Sequence, residues 1–483
     1  MVIAADYESL DDPILKRDLD YYLREYAFDI ADREGMRESP ERRLRPADYA
    51  PGPALASPHW RLYSACSEAG YFNLDPIGAV RFDAGRKNIL RRGTGLQFAA
   101  RWEGLGAGFR FVDHTERGNG PYHRRDQLLT HAPGYVGPLQ GASETYYDAV
   151  EAYINYRWRR LDVTLGRDRV SWGPGREANV LIGGAAQPFD QLRLEADFGR
   201  GVRYGWMVGS LSPYGVVGDT LYTTREGHIR LDFVPKHLVL HRLEIAVSDW
   251  GLFAVNEAVV WGERGFDPAY ISPIQFYYAA QHSNGDFDNV LMSGDFKVIL
   301  RDRATFYGAL LIDDLRTSTL GRGDPGNKLG YLAGMRSSRL GLNGLEAGLE
   351  YARLDPFVHS HNYPVNRYSH WETPLGLAQP SNSDRLTIQG SYRPWREVEL
   401  KGSYTHWRQG DRGASIDDVP AAGSPRSGAP FLSGRRTYRN VLELAGLYEF
   451  RPGWTVAGGY TFDRSSILPV RFHLAAGYRY EIQ

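Results

Sequence analysis

Apolar and polar residues alternate with a period of two along most of the chain. In 150–158, Val150, Ala152, Ile154, Tyr156 and Trp158 alternate with Glu151, Tyr153, Asn155 and Arg157. In 191–198, Leu192, Leu194, Ala196 and Phe198 alternate with Arg193, Glu195 and Asp197. The same holds in 397–405 (Val398, Leu400, Gly402 and Tyr404 against Glu397, Glu399, Lys401, Ser403 and Thr405) and in 470–482, where Val470, Phe472, Leu474, Ala476, Tyr478, Tyr480 and Ile482 share a face. Alternation of this kind places one strand face in an apolar medium and the other in a polar one. The polar faces carry both signs of charge. The runs of ~9–11 residues match a bilayer-spanning β-strand rather than the ~5–6 residues of a soluble sheet. Apolar faces end in aromatics (Tyr156, Trp158, Trp206, Trp261, Tyr448, Phe450, Tyr480), the pattern of an interfacial girdle.

The pattern predicts strands near 73–84, 94–103, 106–115, 147–158, 161–170, 189–198, 202–211, 226–234, 239–248, 252–261, 288–299, 303–313, 329–338, 345–353, 384–392, 396–406, 438–449, 453–462 and 470–482. That is 19, whereas bacterial single-chain barrels have an even number. Long loops at 116–146, 171–188 and 212–225 follow odd-numbered candidates, and those at 262–287, 314–328, 354–383 and 407–437 follow even-numbered ones. One segment between 212 and 261 therefore does not span, and 226–234 is the one that fits inside a longer loop. Its removal leaves an all-β membrane fold, an 18-stranded antiparallel transmembrane β-barrel. Every long loop then falls on the extracellular side, and both termini face the periplasm. Candidate short turns are Glu103-Gly104, Arg159-Arg160, Gly199-Arg200-Gly201, Asp249-Trp250-Gly251, Asp302-Arg303 and Arg451-Pro452.

The first 60 residues read differently. Ser9-Leu-Asp-Asp12 resembles a capping box followed by Pro13, and Ile14, Leu15, Leu19, Tyr22, Leu23 and Tyr26 recur at helical spacing, so a helix is predicted over 11–27. Residues 30–58 are charged and Pro-rich and read as a linker. The expected division is a periplasmic helical and linker segment, 1–60, and a barrel with long extracellular loops, 61–483. Residues 1–6 show neither a basic n-region nor an apolar h-region. The expectation is a mature chain whose signal peptide has been removed.

Composition narrows the function. The 57 basic and 58 acidic residues leave a net charge of −1, without the basic excess of a nucleic-acid binder. Cys66 is the only cysteine among 483 residues, so an internal disulfide or a multi-cysteine metal site cannot form. The 54 Gly and 31 Tyr suit a large antiparallel β protein. There is no Gly-x-Ser-x-Gly elbow, His-Glu-x-x-His pair or phosphate loop, and the chain is read as a non-enzyme without a cofactor.

An ordered set of short motifs resembles the capsule-assembly Wzi family of outer-membrane proteins. It runs from Gly166-Arg167-Asp168 and Trp172-Gly173-Pro174-Gly175 through Gln187-Pro188-Phe189-Asp190 with Leu192-Arg193-Leu194. His241-Arg242-Leu243, Glu257, Trp261-Gly262-Glu263-Arg264, Tyr270-Ile271-Ser272-Pro273, Phe276-Tyr277-Tyr278, Asp288-Asn289 and Asp295 follow. Tyr307-Gly308, Ile312-Asp313-Asp314, Glu350-Tyr351, His361, Tyr363, Tyr368 and His370 complete it. Ile182-Gly183-Gly184-Ala185-Ala186 stands where a more polar, Asn-containing stretch is expected, and Gln483 replaces a terminal aromatic. The resemblance implies an 18-stranded barrel that holds capsular or exported polysaccharide at the cell surface, a lectin-like, non-enzymatic role. Outer-membrane lipids are the expected surroundings and a monomer the expected state, with the N-terminal helix as a contact for export machinery.

Sugar rings need aromatic faces and planar polar groups. Two loops supply both, and the candidate glycan-binding residues are Arg264, Tyr270, Tyr277, Asp288, Asn289, His361, Tyr363, Tyr368, His370 and Trp371. The competing reading is that these loops fold inward and plug the lumen, their aromatics packing on each other. Other features read blandly. His359, His361 and His370 lack a ligand spacing for a metal. Asp313-Asp314 reads as solvated or paired with a luminal Arg. Trp172-Gly173-Pro174-Gly175 reads as a tight turn fixing a loop, and Arg322-Gly323-Asp324 as chance. The alternative function is a porin-like channel for small polar solutes, whose lumen Glu151, Arg157, Arg193, Glu195, Asp197, Arg242, Glu244, Asp295, Lys297, Glu399 and Lys401 would line.

Overall fold

A computed structural model describes residues 60–479 apart from 68, 86–87, 119–136, 139–143, 176–178, 214–215, 217, 249, 301–303, 316–326, 339, 372, 420–428 and 465–469. The helix expected over 11–27, the linker over 30–58, Arg322-Gly323-Asp324 and Tyr480 lie outside the described residues.

Eighteen antiparallel strands form the wall. They are β1 (Gly70–Gly85), β2 (Ile89–Trp102), β3 (Leu105–Arg117), β4 (Glu144–Trp158), β5 (Leu161–Asp168) and β6 (Phe189–Gly199). Next come β7 (Val202–Ser210), β8 (Lys236–Ser248), β9 (Gly251–Gly262), β10 (Asn289–Leu300), β11 (Ala304–Asp314) and β12 (Lys328–Ser337). The last six are β13 (Leu345–Leu354), β14 (Ser383–Trp395), β15 (Val398–Gly410), β16 (Arg436–Arg451), β17 (Trp454–Asp463) and β18 (Val470–Tyr478). Each pairs with its neighbour in sequence, and β1 closes the ring on β18 through Gly78↔Tyr478 to Gly85↔Arg471. Closure satisfies the backbone of both would-be edges, which is what makes a sheet viable in hydrocarbon. The segment excluded from the count, 226–234, does sit inside a loop: Thr220–Thr223 and Ile229–Leu231 pair as a separate hairpin.

Short connections lie at one end and long ones at the other. Glu103, Arg159 and Arg200 occupy the left-handed region (φ 50°, 54° and 54°) in two-residue turns whose twist matches the flanking strands. At the same end, Phe450–Trp454–Tyr478 form a run of ring contacts (6.4 and 4.9 Å), and Tyr156, Trp158, Tyr448 and Phe450 are exposed on the outer wall. They form the lower aromatic girdle. Above it the outward face is apolar, with Val80, Phe82, Ile154, Leu165, Phe253, Val255, Leu400 and Leu474 all exposed.

The inward face is charged and internally paired. Arg242 donates through Nη1 to Asp295 Oδ2 (2.6 Å) and Asn256 Oδ1 (2.9 Å), and through Nη2 to Asp295 Oδ1 (3.0 Å). Arg157 pairs with Asp162 (2.8 Å) and Lys401 with Glu399 (3.2 Å).

Trp206 and Trp261 depart from the girdle expected of them. Both face outward, Trp206 midway along β7 and Trp261 at the upper end of β9, yet both are buried. A helical loop covers them, and each indole N–H finds a partner there. Trp206 Nε1 donates to Tyr277 Oη (3.1 Å) and Trp261 Nε1 to the Gly265 carbonyl (3.1 Å).

Candidate functional site

Three long loops decide what the upper end presents. The connection 355–382 folds inward. Its Val358, Tyr368, Leu375 and Leu377 join wall residues Met207, Leu240, Ala258, Leu291, Leu311 and Leu332 and a second inward loop (Val180, Leu181, Ile182, Ala186) in one apolar cluster. The wall positions among these are luminal and sit on the adjacent strands β7–β12, so the two loops form an apolar plug against that side of the lumen. The Ile182–Ala186 stretch, more apolar than expected, belongs to this packing. The two loops touch closely: a Cβ at Gly376 would lie 2.2 Å from the Val180 carbonyl oxygen, so only glycine fits there. Lys236 ties the plug to the wall by donating to the carbonyls of Arg367 (2.8 Å) and Ser369 (2.7 Å). Asp313 accepts the His359 N–H (2.7 Å), and Asp314 pairs with Lys328 (2.7 Å) rather than with a luminal Arg. Trp172 stands on the short hairpin Ser171–Trp172/Ile182–Gly183 beneath the plug. Between it and the turn Arg159-Arg160 lies a polar cavity of about 600 Å³.

The connection 263–288 does not enter the lumen. It forms α1 (Pro268–Ile271) and α2 (Tyr277–Ser283), whose Tyr270, Tyr277 and Ala280 pack on the outward residues Trp206, Val239, Val259, Trp261 and Val290. Asp267 caps α1, accepting the Ala269 N–H (3.0 Å). No neighbouring side chain caps α2. Glu257 on β9 does so instead, its two oxygens accepting from the N–H groups of Tyr277 (2.9 Å) and Tyr278 (2.7 Å).

The ten candidate residues now separate. Asp288, at the foot of β10, holds the lobe closed: Arg264 donates Nη1 to Oδ1 (2.9 Å) and Nη2 to Oδ2 (2.6 Å), and Tyr270 Oη donates to Oδ2 (2.7 Å). The carboxylate raises the Arg264 pKa. Burial, with the Asp288 hydrogen bond, raises that of Tyr270, and burial raises that of Tyr277. Asn289 Nδ2 donates to the Asn366 carbonyl (2.9 Å), and Asn366 Nδ2 to the Phe287 carbonyl (2.9 Å), fastening the two loops together. Tyr368 and His370 are buried in the plug. His370 Nδ1 accepts the Ser212 N–H (2.9 Å), and burial drives its pKa down to about 3. Tyr270, Tyr277, Asp288, Asn289, Tyr368 and His370 are thus framework. Arg264, His361, Tyr363 and Trp371 keep surface open to solvent.

At the loop junction two exposed rings, Phe287 and Tyr363, meet beside a half-buried third, His361. Phe287 meets Tyr363 edge-on (5.8 Å between centroids, 81°), and His361 lies 5.6 Å from Tyr363. Burial lowers the His361 pKa, so this ring is neutral at pH 7. The same two loops carry polar groups: exposed Asn362, and the Arg264–Asp267–Asn284 cluster, where Asn284 Nδ2 donates to Asp267 Oδ2 (3.0 Å). Aromatic edges and faces beside fixed amides and carboxylates can stack on the C–H side of a ring and hydrogen-bond its hydroxyls. Phe287 escaped sequence reasoning, although a lone Phe between Asp286 and Asp288 was the available signal. The histidines 359, 361 and 370 are apart in role, and among the described residues no group of three or more His, Cys, Asp or Glu stands together to hold a metal.

A closed 18-stranded barrel with an outward apolar band, an aromatic girdle and long loops at one end, two of them folded inward, defines an outer-membrane β-barrel. The chain matches the family described as capsule assembly protein Wzi over residues 96–473, and it belongs to that family. It is therefore a protein of the bacterial outer membrane. Among solved structures it is similar to Wzi, an outer-membrane protein involved in group 1 capsule assembly in Escherichia coli and a carbohydrate-binding β-barrel, at TM-score 0.55 and 13% identity over 85% of each chain. It also matches the outer-membrane protein opdK of Pseudomonas aeruginosa (TM-score 0.45, 11% identity, 86% of this chain and 99% of that one). OprD of the same organism is a further match (0.40, 11%, 84% and 93%). Such identities show the fold alone. No curated protein matches the chain.

Proposed function

We propose that this protein binds capsular or exported polysaccharide at the cell surface without chemical turnover, and that the cluster of exposed Phe287 and Tyr363 with half-buried His361 is the platform on which sugar rings stack. The cluster carries the reading because it faces solvent at the end with the long loops, where two loops are locked by Asn289 and Asn366. Arg264 and Trp371 are the remaining candidates with open surface, and Asn362 the adjacent amide. Tyr270, Tyr277, Asp288, Asn289, Tyr368 and His370 contribute by holding the loops in place. The Escherichia coli relative described as a carbohydrate-binding barrel supports the same reading. Outer-membrane lipids surround the apolar band, and the protein acts as a monomer. The N-terminal segment meets export machinery on the periplasmic side, where Tyr478 donates to the Trp60 carbonyl.

The channel alternative fits less well, because two loops fold into the lumen and pack as an apolar plug on its wall. The decisive experiment compares cell-bound and released polysaccharide in a deletion strain and its parent. A shift of polymer to the medium at constant total synthesis supports anchoring, and restoration by the wild-type gene but not by Tyr363→Ala with Phe287→Ala assigns it to the platform. Unchanged partition in the deletion strain defeats the proposal. Steady conductance of the purified protein in a planar bilayer would favour the channel.

A further inference from the structure

The loop 263–288 lies against the outside of a membrane-spanning wall, and its depth can be read from the strand register. On β9 the outward residues are Phe253, Val255, Glu257, Val259 and Trp261; the inward ones are Ala254, Asn256, Ala258 and Val260. The parity is fixed by Asn256, which joins the luminal Arg242–Asp295 network, and by Val255, which is 60% exposed. An apolar band is about 25 Å tall. A strand rising about 3.3 Å per residue and tilted about 40° gains about 2.5 Å of height per residue. Counted from Gly251, the band then reaches Trp261. The residues of β9 below Trp261 therefore lie within the band.

The lobe descends below Trp261. Glu257, two residues under Val259, is buried beneath α2 and also contacts His241 Nε2 (3.1 Å). The bend between the helices is tied to the wall as well. Tyr204, which is outward on β7, donates from Oη to the Pro273 carbonyl. Tyr204 pairs with Leu243, and Leu243 with the exposed Val255. Pro273 is therefore tied to a side chain that springs from an exposed apolar rung. Around it, on the side away from the wall, are Ile274 at 88% exposure, Phe276 at 55% and Tyr278. An apolar patch so exposed is costly in water, but here it continues the outward apolar face.

We propose that Ser272–Tyr278 is a membrane foot: the loop folds down the outer wall and seats Ile274 and Phe276 in the acyl region of the outer leaflet, with Tyr278 near its interface. The inference rests on the reading of this chain as an outer-membrane barrel and goes beyond glycan binding. It explains the lobe's internal chemistry. Hydrocarbon offers no water to the first N–H groups of α2, and Glu257 supplies both acceptors. The helix in turn shields the carboxylate and His241 from lipid. The foot also braces the loop whose other end carries Phe287, fixing the height of the aromatic platform above the bilayer.

The test uses full-length protein with Cys66→Ser, reconstituted in phospholipid vesicles and spin-labelled singly at Ile274→Cys, Phe276→Cys, Val255→Cys or Asn362→Cys. Accessibility to oxygen, which enters lipid, is compared with that to a water-soluble nickel chelate. Ile274 and Phe276 are expected to match Val255, with an oxygen-to-chelate ratio about tenfold above that of Asn362, since the hydrocarbon core excludes the polar chelate. A protected Val255 with Ile274 and Phe276 as chelate-accessible as Asn362 overturns the foot and leaves the barrel reading intact. Chelate access at Val255 as well overturns both. If one foot variant fails to insert, the other carries the same comparison.

Discussion

Removing the Asp288 carboxylate tests the claim that one buried acid closes the outer lobe. In Asp288→Ala, the Tyr270 hydroxyl loses its 2.7 Å acceptor while its ring stays buried. A buried donor left unsatisfied costs about 1–3 kcal/mol. Arg264 loses two bonds of 2.9 and 2.6 Å, but its side chain is 38% exposed and can turn to water or to Asp267. Its share is therefore about 0–1 kcal/mol. The sum, about 1–4 kcal/mol, falls on the lobe and not on the barrel, whose strands keep their ladders. Amide hydrogen exchange in residues 266–284 is then expected to quicken by roughly 5- to 700-fold, since about 1.4 kcal/mol is a factor of ten. Exchange in β9 and β10 is expected to stay at the wild-type rate. Asp288→Asn keeps one acceptor for Tyr270 and should fall between the two. If the alanine variant leaves exchange in the lobe within about threefold of wild type, the Arg264–Asp288–Tyr270 group does not hold the loop.

Tyr363→Ala exposes no buried polar group, so unchanged heat stability is expected together with polysaccharide affinity weaker by about 0.5–1.5 kcal/mol for each aromatic ring removed from the sugar; an unchanged partition of polymer between cells and medium would remove Tyr363 from the platform. Acid should loosen the plug. Burial lowers the pKa of His359 to about 4 and of His370 to about 3, while a released histidine titrates near 6.5. The stability each contributes is complete above about pH 6.5 and is lost as pH falls towards the folded value, by about 1.4 kcal/mol per pH unit per histidine. Exchange in residues 357–377 should accelerate between pH 7 and pH 5, and His359→Gln with His370→Gln should flatten that dependence. Deleting 357–377 should turn a protein without steady conductance into one that conducts; a deletion variant that stays silent in a planar bilayer, while folded by its heat-modifiable mobility, would show that the second inward loop occludes the lumen alone.

The strands were legible because lipid and lumen impose opposite demands on alternate residues. Leu192, Leu194 and Phe198 against Arg193, Glu195 and Asp197 can satisfy both only as a wall. The even strand number and the one-sidedness of long loops then excluded 226–234, which is a loop hairpin in the structure. The candidate site was legible at the level of loops and less so of residues. Arg264, Tyr363 and Phe287 come from similar loop sequence, yet Tyr270 and Tyr368, equally aromatic, are fully buried. Composition names the side chains able to stack on a sugar, and packing alone decides which of them remain free to do so.

The sequence by itself determined the wall: period, span length, strand parity and the charged lumen all follow from side chains meeting two solvents on alternate faces. It did not determine what covers the wall. Trp206 and Trp261 end apolar faces as girdle residues do, but an outward Trp satisfies the same pattern whether lipid or a helix of its own chain lies over it. The tertiary structure decided that the 355–382 loop turns inward and the 263–288 loop outward. The choice depends on contacts between residues far apart in the chain, Trp206 with Tyr277 and Lys236 with the carbonyls of Arg367 and Ser369, and no local periodicity records them.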